Sequence, residues 1–305
     1  MPVSPPNQTL TFLRRRFNEV GIRPKTKHGQ NFLIDLNLQR LLLDTAELDR
    51  RDVVLEVGTG TGSLTALLAE RAAAVVTVEI DPQLRQLASE ELIGRENVTL
   101  MSIDALRNKN TLAPKLLETV RARLADVSEA RFKLVANLPY NIATPVLSNL
   151  LATDVVPYSM TVTIQKELAD RITAVPSTKD YGALSIWIQS QCQVELIRTL
   201  PPTVFWPRPK VTSAIIQIIA RPELRARIPN LDFFHQFVRS MFFHRRKYLR
   251  GVLQSAFKNQ LTKPDADRIM ANLALSGDAR AEQLSVQRML ELCEAVRGQV
   301  VNNER

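Results

Sequence analysis

With 305 residues, 45% of them hydrophobic and 23% charged, the chain can fill one large core and a smaller one, which excludes a disordered ground state. No apolar run approaches the roughly 20 residues of a membrane helix, and the polar, proline-bearing start does not read as a signal peptide. Net charge is +9, and from Arg221 to Arg305 there are 15 Lys and Arg against 9 Asp and Glu, which favours a polyanionic partner. Cys192 and Cys293 stand too far apart for a metal knuckle or redox pair, so no metal site and a cytoplasmic location are expected.

Thr9 to Val20 reads as a short basic helix with Leu10, Leu13 and Phe17 as its apolar stripe. Arg23 to Leu33, with its proline, glycine and small polar residues, reads as a loop. Its Gln30-Asn31-Phe32-Leu33 end suggests an arm over a ligand mouth, anchored by Phe32 and Leu33. His28 has no partners that would make a ligand set. A helix follows from about Asn37 to Ala46.

Asp52 to Asp81 organises the rest. An apolar run, Val53 to Val57, leads into Gly58-Thr59-Gly60-Thr61-Gly62. Then come a helix-spaced segment from Ser63 to Glu70 and a second apolar run, Val75 to Val78, closed by Glu79. Strand, glycine turn, helix, strand and acid make the nucleotide-binding half of a doubly wound sheet. Glycines let the backbone turn sharply and lie close to a ligand. A dinucleotide fingerprint requires glycine or alanine where Ser63 stands. The loop, with Glu56 before it, instead resembles the S-adenosylmethionine loop of class I methyltransferases. That ligand carries a ribose for Glu79 and an adenine but no pyrophosphate.

A third strand, Asn97 to Ile103, ends at Asp104, an acceptor suited to the amine of the cofactor's adenine. Leu106 to Arg131 reads as a polar, helix-prone surface excursion. Phe132 to Ala136 is the fourth strand and runs into Asn137-Leu138-Pro139-Tyr140, at the end of the sheet where ligands sit. The tetrad resembles those of methyltransferases that act on exocyclic base amines, and the chemistry explains its residue types. Such a nitrogen is a poor nucleophile, because its lone pair is delocalised into the ring. Acceptors at the Asn137 side chain and in the Leu138-Pro139 turn would counter that delocalisation, and proline fixes the turn. Tyr140 offers a stacking face worth ~1–3 kcal/mol.

Strands at Met160–Lys166, Gln193–Thr199 and Val211–Ile219 would complete the sheet, with Phe205 in the intervening loop as a second wall for the base. Beyond Arg221 the chain reads as helical: Leu231–Phe257, Ala266–Leu275, and Ser285–Val296 with Ser285 as N-cap and Gly298 just past the end. Basic Arg245-Arg246-Lys247 and Arg250 would face RNA.

Taken together, these motifs resemble the ribosomal RNA adenine N6-dimethyltransferases, and within them the bacterial branch acting on the small subunit. The resemblance covers nearly the whole chain from about residue 23. It rests on Lys27 to Leu33, Glu56 to Thr65, Glu79-Ile80-Asp81, Asp104-Ala105, Asn137 to Pro145, Gln165-Lys166-Glu167, Tyr181 to Ser185, Val204 to Ser213 and Arg245 to Arg250. It implies a class I α/β methyltransferase sheet (36–220) behind a basic arm (1–35), followed by a helical RNA-binding domain (221–305). It also implies dimethylation of two adjacent adenosines in the last hairpin of 16S rRNA, with immature 30S subunits as partner and a monomeric enzyme. The cofactor set is Asn31, Leu33, Gly58, Gly60, Glu79, Asp104 and Asn137. The catalytic set is Asn137, Leu138, Pro139, Tyr140 and Phe205. Thr59 departs from the family's usual proline, and the 106–131 connection is longer than usual.

Overall fold

The computed structural model describes residues 10–22, 30–245 and 247–303, the Asn302 side chain excepted. Arg23 to Gly29, the basic part of the expected arm with His28, and Arg246 lie outside the described residues. The contacts divide the chain into two compact units, 1–169 with 194–220, and 170–193 with 221–305.

The first unit begins with α1 (Leu10–Glu19), whose Leu13 and Phe17 are buried, and β1 (Phe32–Leu33). Asp35 then caps α2 (Leu36–Ala46) by accepting the Asn37 and Leu38 N–H groups. The nucleotide half-unit follows as β2 (Asp52–Val57), α3 (Ser63–Arg71), β3 (Ala74–Val78) and α4 (Pro82–Glu91). Every residue of β2 and β3 is buried, which explains their continuous apolar runs. β4 (Val98–Met101) is followed by a small hairpin, β5 (Leu106–Asn108) with β6 (Thr111–Leu112), and by α5 (Pro114–Ala125). The expected surface excursion is therefore a crossover that contacts β2 and β3. Its polar residues disguise Leu112, Leu116 and Val120, all buried.

Next come β7 (Arg131–Asn137), α6 (Ala143–Ala152), β8 (Ser159–Gln165), α7 (Lys166–Thr173), α8 (Ala183–Gln189), β9 (Cys192–Leu200), β10 (Phe205–Trp206) and β11 (Ser213–Ala220). The seven-stranded sheet runs β4-β3-β2-β7-β8-β11-β9. Pairings from β4 to β8 are parallel, and β11 returns antiparallel to β8. At the amino ends, Asp52 (0% exposed) meets Arg131 at 2.9 Å and Lys133 at 3.1 Å, which ties β2 to β7.

The second unit holds α9 (Pro222–Arg225), α10 (Leu231–Phe243), α11 (Leu249–Ala256), α12 (Lys263–Asn272) and α13 (Val286–Asn303). The sheet domain expected over 36–220 is interrupted, because 170–193 groups with these helices. The reason is packing: Trp187 stacks on His235 at 4.2 Å, and the Tyr181 hydroxyl donates to the Leu284 carbonyl at 2.9 Å. The single helix expected over 231–257 breaks at His244. α13 runs through Gly298 to Asn303, so that glycine does not end it. Ser285 accepts the Arg288 N–H at 3.2 Å, as an N-cap does.

Candidate active site

Four neighbouring strands deliver the site. Glu56 lies in β2, Glu79 follows β3, Asp104 stands shortly past β4 and Asn137 ends β7. All are at carboxyl ends and line one pocket with Asn31, Leu33, Gly58, Gly60 and the Leu138-Pro139-Tyr140 turn.

The loop glycines are needed for space as well as for φ. Gly58 has φ +90°, and a Cβ there would lie 3.1 Å from the Pro139 ring. Gly60 has φ +58°, and its Cβ would lie 3.1 Å from the Phe32 ring. Phe32 and Pro139 thus close on a bare backbone. The N–H groups of Gly58 and Thr59 both donate to the Val78 carbonyl, and that of Gly62 to Thr59. The Gly60 N–H donates to Glu79 at 2.8 Å. These donors are used internally, which agrees with a ligand lacking pyrophosphate.

Glu79 is 6% exposed. One oxygen takes the Gly60 N–H and the other the Asp81 N–H at 2.9 Å. A carboxylate has about four lone-pair sites, so acceptor capacity remains on Glu79 for a ligand hydroxyl. Burial raises its pKa, and the Asp81 and Gly60 amides oppose that shift. Asp104 accepts the Leu106 N–H through Oδ1 at 2.9 Å. Glu56 is 1% exposed and accepts the Thr65 and Thr77 hydroxyls at 2.5 and 2.7 Å. Burial pushes its carboxyl up to about 8 despite them.

The Asn137 amide nitrogen donates to the Asn31 carbonyl at 2.8 Å. Its Oδ1 is buried and accepts no hydrogen bond among the described residues. A buried acceptor without a donor is costly, and a ligand N–H is what it lacks. The Pro139 carbonyl takes the Ile142 N–H at 3.1 Å and closes a turn, which leaves the Leu138 carbonyl as the turn's other acceptor. The Tyr140 hydroxyl pairs with Ser213 at 2.5 Å, and burial raises its pKa, so it stays a neutral phenol.

Phe205 requires a correction. It is 2% exposed in a cluster with Leu33, Leu42 and Leu200, and does not line the pocket. Its β10 pairs with β1, Leu33 opposite Phe205, so the ring belongs to the core rather than to a base. Trp206 likewise packs on Phe17, with ring centres 5.1 Å apart. Sequence reasoning missed Gln39, which lines the pocket and donates to the Leu33 carbonyl at 2.6 Å. It also gave no role to Ile80, which lines the pocket with its side chain half-exposed. A polar residue breaking the apolar face of α2 was the available signal for Gln39.

Among the basic residues expected to face RNA, Arg245 is engaged in the second unit. It pairs with Glu282 at 2.5 Å and donates to the Thr178 and Lys179 carbonyls. Arg250 pairs with Asp267 at 2.5 Å, and Lys247 is exposed.

Residues 21–295 match the model of the ribosomal RNA adenine dimethylase family. The chain belongs to that family. It is accordingly an S-adenosylmethionine-dependent methyltransferase with ribosomal RNA as substrate. It is 39% identical over 280 residues to ribosomal RNA small subunit methyltransferase A of Streptococcus pneumoniae (strain CGSP14), covering 92% of this chain and 94% of the relative. The protein of the same name from Lactococcus lactis subsp. lactis (strain IL1403) is 38% identical over 89% of this chain and 90% of its own. Among solved structures, a dimethyladenosine transferase from Plasmodium falciparum superposes with a TM-score of 0.72 at 23% identity, covering 87% of this chain and 97% of that one. The 23S rRNA methyltransferase ErmE gives 0.61 at 25%, covering 87% and 99%. No helix among the described residues is long and apolar enough to cross a membrane.

Proposed function

We propose that the chain dimethylates N6 of two adjacent adenosines in the 3′-terminal hairpin loop of 16S rRNA, acting as a cytoplasmic monomer on immature 30S subunits. The observation that carries this is the buried Oδ1 of Asn137, without a donor among the described residues, at the end of β7 and beside an acceptor turn.

The pocket fits the cofactor. Glu79 would hold the ribose, Asp104 the adenine amine, and Asn31, Leu33 and Gly58 the methionine end, with Gly60 leaving room for the body of the ligand. Bound S-adenosylmethionine supplies an electrophilic methyl on a cationic sulfur. Asn137 Oδ1 and the Leu138 carbonyl each accept one N6–H of the target adenine, which pulls the nitrogen lone pair out of conjugation. Tyr140 offers the base a flat face, and the Pro139 ring keeps the turn in place. A hairpin-loop adenosine leaves its stack more readily than a paired one.

No side-chain base is needed before attack. The alkylated nitrogen is a strong acid and loses its proton afterwards. Tyr140 stays protonated, and His235 lies in the second unit against Trp187, its pKa lowered by burial. After the first methyl, N6 retains one hydrogen, so one acceptor still aligns it for a second transfer. Positioning supplies much of the rate.

A large-subunit substrate, as in the name of the ErmE structure, is the second reading; the small-subunit name of the relatives at 38–39% identity favours the first. Labelled S-adenosylmethionine with naked rRNA and with 30S particles, followed by mapping of the modified bases, tests both. Label confined to 23S rRNA, or arrested at monomethyladenosine, would overturn the proposal.

A further inference from the structure

The second unit carries a groove between α10 and α11 that the reaction does not use. It is lined by Val252, 2% exposed, and by the exposed Ala256. Phe243 closes one end with 81% of its surface exposed, while Phe234, Phe237 and Met241 of the same helix fill the core. His244 meets the Phe243 ring edge-on, with centres 4.9 Å apart, and leaves the rest of the ring open. Gln236 and Arg239 form one wall.

Charge settles what would sit there. Among the described residues, no Asp or Glu lines the groove. Arg245, Arg250, Arg268, Arg288 and Arg297 of this unit all hold a carboxylate. Arg239 is exposed and makes no ion pair or side-chain hydrogen bond among the described residues. It stands one turn from Phe243, at i and i+4, a spacing of roughly 5–6 Å between Cβ atoms. An exposed cation one turn from a bare aromatic face matches a nucleotide, with the base on the ring and its phosphate on the guanidinium. The base must be unpaired, since a paired base keeps its faces in its own stack.

We propose that this groove seats one unpaired nucleotide of the RNA substrate, stacked on Phe243 with its phosphate on Arg239. The inference rests on the ribosomal RNA reading above and adds a contact outside the methylation pocket.

The test uses the full chain and a labelled single-stranded hexauridine, which carries no adenine for the catalytic site. Phe243→Ala weakens binding roughly 5- to 150-fold, whereas Phe243→Tyr keeps it. Arg239→Gln lowers the log–log salt slope by about 0.7, the value of one single-strand phosphate. Because Phe243 is exposed, its thermal midpoint stays at the wild-type value, which excludes misfolding as the cause. Wild-type affinity in Phe243→Ala overturns the proposal. So does a Phe243→Ala variant that loses only 30S particles and keeps hexauridine, since that would assign a protein partner. Methylation by the wild type is scored separately. If it labels no rRNA while Phe243→Ala still loses hexauridine, the functional reading falls and the groove stands.

Discussion

The Asn137 side chain donates to the Asn31 backbone carbonyl at 2.8 Å, and that bond decides which way the amide faces. With Nδ2 held by the residue just before β1, Oδ1 is left facing the pocket as an acceptor. One contact therefore joins the segment entering the fold to the Asn137–Tyr140 turn, 106 residues apart in sequence.

Asn137→Ala should cut turnover by roughly 10²–10³, the usual loss for one preorganised polar group, while the fold survives. Asn137→Asp separates the two roles of the amide. It keeps an acceptor but cannot donate to Asn31, and its charge faces a carbonyl, so it should fail nearly as badly. Single-turnover methylation of rRNA is the measurement, and near-normal rates in either variant would remove Asn137 from the mechanism.

Gly60→Ala tests the close approach of Phe32. The new Cβ would lie 3.1 Å from that ring, at a φ of +58° that alanine resists. Strain of roughly 1–3 kcal/mol is expected. Phe32 must move, and cofactor affinity should fall with it. Gly60→Ala with Phe32→Ala removes the clash but not the φ cost, so partial recovery by calorimetry is the expected result. No recovery at all would mean that backbone strain alone explains the loss.

What was legible in the sequence follows a physical division. β2, β3, the glycine turn and Glu79 were readable because buried parallel strands and tight turns impose local composition. Asn137 to Tyr140 was readable because the strand before it places the tetrad at the sheet's carboxyl edge. Phe205 was not, because its burial comes from β10 pairing with β1 across more than 170 residues. The helical tendency of 114–125 was legible but its packing was not: only Leu116 and Val120 of α5 are buried, too few to outweigh its charged face. The grouping of 170–193 with the helices depends on Trp187 meeting His235, a partner no local pattern names.

Glu56 should make the cofactor-free protein sensitive to pH. Burial moves its carboxyl from 4.5 to about 8, against the hydroxyl donations of Thr65 and Thr77. The folded chain then holds a proton that the unfolded chain has released. Its contribution to stability is full below about 4.5 and is lost as pH rises through about 8. Relative to Glu56→Gln, the wild type should lose on the order of a few kcal/mol across that window. Urea denaturation of both proteins from pH 5 to 9 measures the difference. Curves that stay parallel would show that Glu56 does not hold the proton.

Arg245 and Lys247 sit two residues apart and should behave oppositely. Arg245 braces the second unit through Glu282 and the Thr178 and Lys179 carbonyls, bonds that its replacement would leave unmade. Arg245→Ala should lower the thermal midpoint by a few degrees, and any loss of RNA affinity would be secondary to that. Lys247 is exposed, so Lys247→Glu should leave the midpoint in place. If it meets a phosphate in duplex RNA, the salt dependence of binding should lose a slope of about 0.9. Melting curves beside salt titrations of rRNA binding separate the two residues. A stable Arg245→Ala with weakened RNA binding would make Arg245 an RNA contact after all, and an unchanged salt slope in Lys247→Glu would take Lys247 off the RNA surface.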